Sequence, residues 1–211
     1  MNKKNVLILF CIAIVACTSI LFIVFSYGSH KANVDEVAIN RVDLKKVDAL
    51  MIGSETPKLL YADKDKVIFN CSGVYVYDIK SKMVSKSFDT LSLLSEMYTK
   101  LSCFVSQDGK QIIFGVTKES EGVVARYGYS FEKDHVKEIT QKEYEDYREK
   151  MFKCTYLDYN AELYQKSSGI IANISDTEYV YLTFQDWKVS TIKIVYVKDG
   201  KETYYSVFAN N

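Results

Sequence analysis

Val105–Gly115 (VSQDGKQIIFG) sets the pair Asp108-Gly109 between two apolar runs, Leu101–Val105 and Ile112–Phe114. An Asp-Gly pair suits turn positions with positive φ, so the stretch reads as a tight β-hairpin at Gln107–Lys110. The hairpin is not isolated. Upstream, Lys66–Phe69, Val74–Asp78, a turn and Val84–Phe88 follow one another in order. Downstream, Gln111–Phe114, Val123–Tyr127, Phe131, a turn at Glu132–Asp134 and Val136–Ile139 repeat that order. A weaker third copy runs through Tyr179–Phe184, Thr191–Val197, a turn at Lys198–Gly200 and Thr203–Phe208. The first two copies start about 45 residues apart, the period of a four-stranded propeller blade. The expected fold class is therefore mainly β, in partial propeller-like or meander antiparallel sheets. Roughly 150 residues hold three or four such units, too few for a closed ring, so the units stack as an open curved sheet or a partner covers their edges.

Short apolar stretches rich in Val, Ile, Tyr and Phe extend this pattern back to Leu59–Ala62. Two short helices interrupt it. Thr140-Gln-Lys-Glu143 is a capping box, and it predicts a helix of about 12 residues with Tyr144, Tyr147, Met151 and Phe152 on one face. Thr90–Tyr98 (TLSLLSEMY) predicts a shorter helix with Leu91, Leu94 and Met97 or Tyr98 inward. Both fall where connections between successive sheets belong.

The N-terminus has a different character. From Val6 to Phe25 no residue is charged, and twenty residues at about 1.5 Å each span a bilayer core of roughly 30 Å. Lys3 and Lys4 precede this run and no acidic residue appears before Asp35, which places the N-terminus in the cytoplasm and the remainder outside. The expected organisation is a cytoplasmic N-terminus at 1–5, a transmembrane anchor at 6–27, a stalk at 28–58 and an extracytoplasmic β-rich domain at 59–211. Two other readings export the same domain. Ile14-Val-Ala-Cys17 resembles a lipobox, which would make Cys17 a lipidation site, and Ser26-Tyr-Gly28 offers a signal-peptide cleavage point. The apolar run is longer than a signal-peptide core, and continues past Cys17 where a polar tether would be expected.

Charge excludes one class of partner. The 27 Lys and Arg, less the two N-terminal lysines, leave 25 against 27 Asp and Glu, so no broad basic field for nucleic acid exists. Cys11 and Cys17 lie in the apolar run, leaving Cys71, Cys103 and Cys154. Their separations fit neither a disulfide framework nor zinc ligation, and they read as small apolar side chains in strands, with one disulfide as the alternative.

The run Val74–Lys82, Val84–Asp89 and Val105–Lys110 resembles the β-propeller-type repeats of bacterial cell-surface proteins. It is most similar to the extracytoplasmic tails of clostridial β-lactam-sensor-type signal-transducing membrane peptidases, over roughly Leu59–Phe208. Such a peptidase needs HExxH on a membrane helix, and this chain has only His30 and His135 with one apolar segment. The resemblance thus implies at most a sensory half, and no functional residue carries over.

Candidate chemistry is sparse. Ser190-Thr-Ile-Lys193 has the S-x-x-K spacing of penicillin-binding enzymes. The alternation of Val189, Ile192, Ile194 and Tyr196 suggests instead a strand that puts Ser190 and Lys193 on opposite faces. His30 and His135 read as solvated, and Glu143, Glu145, Asp146 and Glu149 as the charged face of a helix. The 17 Tyr and 11 Phe fill half-buried strand positions or furnish a recognition surface. No catalytic, cofactor or metal residue is assigned. The Lys- and Ile-rich, Pro-poor composition suggests a bacterium. The expected function is a membrane-anchored, extracytoplasmic, non-catalytic binding or sensory module whose partner is another envelope or membrane protein. The alternatives are an envelope lipoprotein that binds a small ligand or glycan, and an enzyme with a dispersed site.

Overall fold

The sequence forms three antiparallel meanders because turn residues recur between extended runs, of four to nine residues in every strand but the two-residue Thr155–Tyr156. The structure, a computed structural model, describes residues 39–50, 52, 56–93, 99–119 and 121–209. All belong to one compact unit, 36–211. The apolar run at 6–27, Cys17 and His30 lie outside the described residues.

Sheet one contains β1 (Lys58–Ala62), β2 (Lys66–Asn70), β3 (Val74–Asp78) and β4 (Met83–Phe88). Sheet two contains β5 (Thr99–Val105), β6 (Gln111–Lys118), β7 (Gly122–Ser130) and β8 (His135–Glu138). Sheet three contains β9 (Thr155–Tyr156), β10 (Ile170–Asn173), β11 (Glu178–Thr183), β12 (Lys193–Lys198) and β13 (Lys201–Ser206). In every sheet, neighbours in space are neighbours in sequence.

The layers do not follow chain order. Side chains of a strand alternate between faces, and sheet one buries both. Leu59, Val67, Phe69, Tyr75 and Tyr77 pack against Ala172, Val180, Leu182 and Ile194 of sheet three. Leu60, Tyr61, Ile68, Val74 and Val76 pack against Cys103, Val105, Ile112, Phe114 and Val116 of sheet two. Sheet one is therefore the middle layer, which is why Val67-Ile-Phe69 and Val74-Tyr-Val-Tyr77 are unbroken apolar runs rather than alternating ones.

A helix covers each outer face. Helix α1 (Gln141–Glu149) carries Tyr144 and Tyr147 onto Phe104, Ile113 and Ile139 of sheet two and its C-terminal extension. Helix α2 (Glu162–Lys166) brings Leu163 to Tyr181, Val195 and Val197 of sheet three. The capping box of α1 is formed: the Glu143 amide donates to Thr140 Oγ1 at 3.2 Å, and the Thr140 amide donates to Glu143 Oε2 at 2.8 Å. The helix is shorter than the expected 12 residues. After Glu149 the chain turns extended, Met151 bridges to Ser106, and the Phe152 amide donates to Val105 O at 2.8 Å. Pairing with an open strand edge thus takes Met151 and Phe152 off the helical face, and Phe152 packs into the cores on both sides of sheet one.

At Thr90–Tyr98 the described part is a 3-10 turn, Thr90–Leu93, in which Thr90 and Leu93 are buried. Of the positions expected inward, the side chain of Leu91 and all of Leu94, Met97 and Tyr98 lie outside what is described. The stretch Trp187–Ile192, expected as strand, instead contains a 3-10 turn at Val189–Thr191, and β12 begins only at Lys193. Described residues of the region expected as stalk pack on the domain, with Val47 and Ile52 buried in the core between sheets one and three and a 3-10 turn at Leu44–Ala49.

The opening hairpin closes differently from a two-residue turn. Gly109 alone takes a positive φ, +68°. The Gly109 amide donates to Ser106 O at 2.9 Å and the Gln111 amide to Ser106 Oγ at 3.0 Å. Asp199-Gly200 does form the tight turn, with φ of 48° and 75° and Lys198 paired to Lys201.

Candidate functional site

Three meanders packed face to face leave strand edges, and two of these edges, β1 and β5, meet the short β9 around a cleft of about 610 Å3. Its walls carry Lys58 from β1, Leu101 and Cys103 from β5, and Tyr156 from β9. A smaller hollow of about 270 Å3 adjoins it along Phe152–Cys154. The segment Met151–Tyr156 closes one end of the cleft and is fixed there by the Phe152–Val105 hydrogen bond and by Cys154 Sγ, which donates to Leu59 O at 3.5 Å.

Strand geometry decides what β5 presents. In an antiparallel ladder, the peptide groups of alternate residues face opposite edges. The Ser106 amide donates to Gln111 O on the β6 side, whereas Val105 O receives the Phe152 amide on the other side. Odd-numbered residues of β5 therefore turn their N–H and C=O away from β6. For Leu101 and Cys103 these groups have no hydrogen-bond partner among the described residues. Cys103 is only 8% exposed, and nearly buried peptide groups are ordinarily paired.

The electrostatics of the cleft are one-sided. Lys58 lines it and Lys153 lines the adjoining hollow, and among the described residues no carboxylate lines either space and neither lysine has an ion pair. Burial pushes the Cys154 thiol up to about 12 and raises Cys103 too, with the Lys58 ammonium opposing both shifts. These thiols stay protonated near neutrality and are poor nucleophiles. Cys71, in the β2–β3 turn, is likewise pushed up to about 12 by burial, and all three are free thiols rather than a disulfide. The exposed ring of Tyr156, 70% accessible, stands at the mouth.

The other candidate residues are placed apart from the cleft. Ser190 sits in the 3-10 turn and Lys193 begins β12 opposite Ser206. His135 opens β8, paired with Ser130, and is half-buried. Glu143 is used by the capping box and by Lys137 at 3.1 Å, while Glu145, Asp146 and Glu149 are solvated. The tyrosines divide: Tyr75, Tyr77 and Tyr181 are core residues, whereas Tyr156, Tyr159 and Tyr204 are exposed. Among the described residues, no group of three or more His, Cys, Asp or Glu is placed to hold a metal. Lys58, Leu101, Cys103 and Tyr156 were not singled out as a set by sequence reasoning; the only available signal was that β1 and β5 open their meanders and so must be edges.

Comparison of the chain with protein-family models, with characterised proteins and with solved structures finds no match in any of the three.

Proposed function

We propose that this chain is a single-pass, membrane-anchored module of a bacterial cell envelope, whose propeller-like extracytoplasmic domain binds or senses a partner without catalysing a reaction. The observation that carries this reading is the cleft between β1, β5 and β9. Its groups and those of the adjoining hollow are of the kind that hold a ligand: open peptide edges, apolar walls, an exposed tyrosine, and two lysines with no ion pair among the described residues. Its thiols are held protonated, which suits burial and not attack. The apolar run from Val6 to Phe25 supports the anchor, and the three consecutive meanders support an open, blade-like stack.

The test is cross-linking in native membranes with a C-terminal tag, followed by capture and mass spectrometry, on the wild type and on Lys58→Glu. One dominant membrane or envelope protein, lost in the variant, supports the reading. Recovery of the chain alone overturns it. Palmitate labelling that disappears in Cys17→Ser would replace the uncleaved anchor with a lipid anchor, whereas an intact N-terminus at Met1 would exclude the lipid.

A further inference from the structure

We propose that the cleft takes an extended acidic peptide segment of another protein, which adds as a strand to the free edge of β5. This inference rests on the reading of the cleft as a binding site and specifies its ligand. The β5 edge over Thr99–Cys103 is unpaired among the described residues, while the continuation at Val105–Ser106 is already paired by Met151 and Phe152. The chain itself thus demonstrates that this edge accepts extended backbone, and it stops short of the stretch that borders the cleft. The open stretch spans roughly 17 Å at about 3.4 Å per residue, room to pair a segment of about five residues.

Main-chain pairing would give such a segment its affinity, and side chains at alternate positions its selectivity. One face of the segment would meet Leu101, Tyr156 and Ile170, and would favour apolar or β-branched residues there. Lys58 borders the same space and Lys153 the adjoining hollow, with no carboxylate lining either among the described residues, so acidic side chains at the remaining positions supply the missing counter-charge. Glycans and small neutral solutes would leave the lysines without counter-charge and offer no main-chain ladder to the β5 edge.

The experiment uses the full chain in detergent micelles and fluorescent capped peptides of about six residues that alternate valine with glutamate, read by anisotropy. Three companions are needed: the valine–lysine peptide, and two forms of the glutamate peptide N-methylated on one or the other set of alternate residues. The expected result is that the glutamate peptide binds at least about tenfold more tightly than the lysine peptide. One methylated form should lose binding and the other retain it, because only one edge of an added strand faces β5. Lys58→Glu combined with Lys153→Glu should reverse the charge preference. Equal binding of both methylated forms would overturn strand addition, equal binding of both charge types would overturn the acidic preference, and no binding of any peptide would overturn both. In that last case the native-membrane capture separates the two failures. A partner still lost in Lys58→Glu leaves the cleft as the binding site with a different ligand, and no partner at all removes both claims.

Discussion

Replacing Gly109 by alanine tests the junction between sheets one and two. The residue holds φ at +68°, where an L side chain costs about 1 to 2 kcal/mol. A Cβ there would lie 2.4 Å from Cζ and 2.5 Å from the hydroxyl oxygen of Tyr61. The ring cannot simply retreat: it is buried, packs edge-on against Phe152 at 4.7 Å between centroids, and its hydroxyl donates to Asp63 Oδ2 at 2.8 Å. Overpacking of this kind costs roughly 1 to 3 kcal/mol, so Gly109→Ala should destabilise the domain by about 2 to 5 kcal/mol. With a urea dependence of about 2 kcal/mol per molar, the midpoint should fall by about 1 to 2.5 M, measured through the fluorescence of the single tryptophan, Trp187. The double mutant separates the two contributions. In a Tyr61→Leu background the clash is gone, and Gly109→Ala should cost only the backbone share of about 1 to 2 kcal/mol. An equal cost in both backgrounds would refute the contact between the hairpin and Tyr61, and a cost below about 0.5 kcal/mol would refute the left-handed geometry as well.

Lys66 Nζ donates to Gly109 O at 2.7 Å and lies 4.4 Å from the Phe131 ring centroid, so Lys66→Met, which keeps the apolar stem, should lower stability by about 1 to 2 kcal/mol in the same urea assay. Thr140→Ala removes the N-cap of α1 and should cost about 1 kcal/mol, with Glu143→Gln milder because the glutamine can still accept from the Thr140 amide. Glu178 is nearly buried and accepts from Lys198 at 2.7 Å and from Tyr196 at 3.1 Å; these bonds hold its carboxyl below the usual 4.5. Its stabilising contribution is therefore present above the unfolded value and lost as pH falls through the lower folded value, so thermal melting should show an acid limb below about pH 4.5 that Glu178→Gln flattens. Cys71 and Cys154, both raised to about 12 by burial, should resist iodoacetamide at neutral pH in the native protein and react only on unfolding, as read peptide by peptide in a mass spectrometer.

The meanders were legible because their signals are local. Val67-Ile-Phe69, Val74–Tyr77 and Ile112–Phe114 are bounded by turn residues, and Asp199-Gly200 and Thr140-Gln-Lys-Glu143 each specify a geometry within four residues. Helix α2 and strands β9 and β10 carry no comparable signal: Glu162–Lys166 is little more than one turn, and Thr155–Tyr156 is a strand only because Ile170 and Ile171 pair with it. The layer order was also hidden, although unbroken apolar runs in β2 and β3 mark a sheet buried on both faces, whereas β7 and β13 have exposed positions. The end of α1 was misjudged because helical periodicity at Met151 and Phe152 competes with pairing to Val105 and Ser106, residues some 45 positions earlier that periodicity cannot see. The cleft is the extreme case. Lys58, Leu101 and Tyr156 come from three different sheets, and only the packing of sheet one between the other two brings them to one place.

Photo-cross-linking from that place is the most direct test of the central claim. A photoreactive phenylalanine analogue at Tyr156, exposed at the mouth of the cleft, is compared in native membranes with the same analogue at Met83, exposed on β4 at the opposite edge of sheet one. The account predicts one dominant covalent adduct to an envelope or membrane protein from position 156, none from position 83, and loss of the adduct on Lys58→Glu. Equal adducts from both positions, or an adduct at 156 that ignores Lys58, would contradict it.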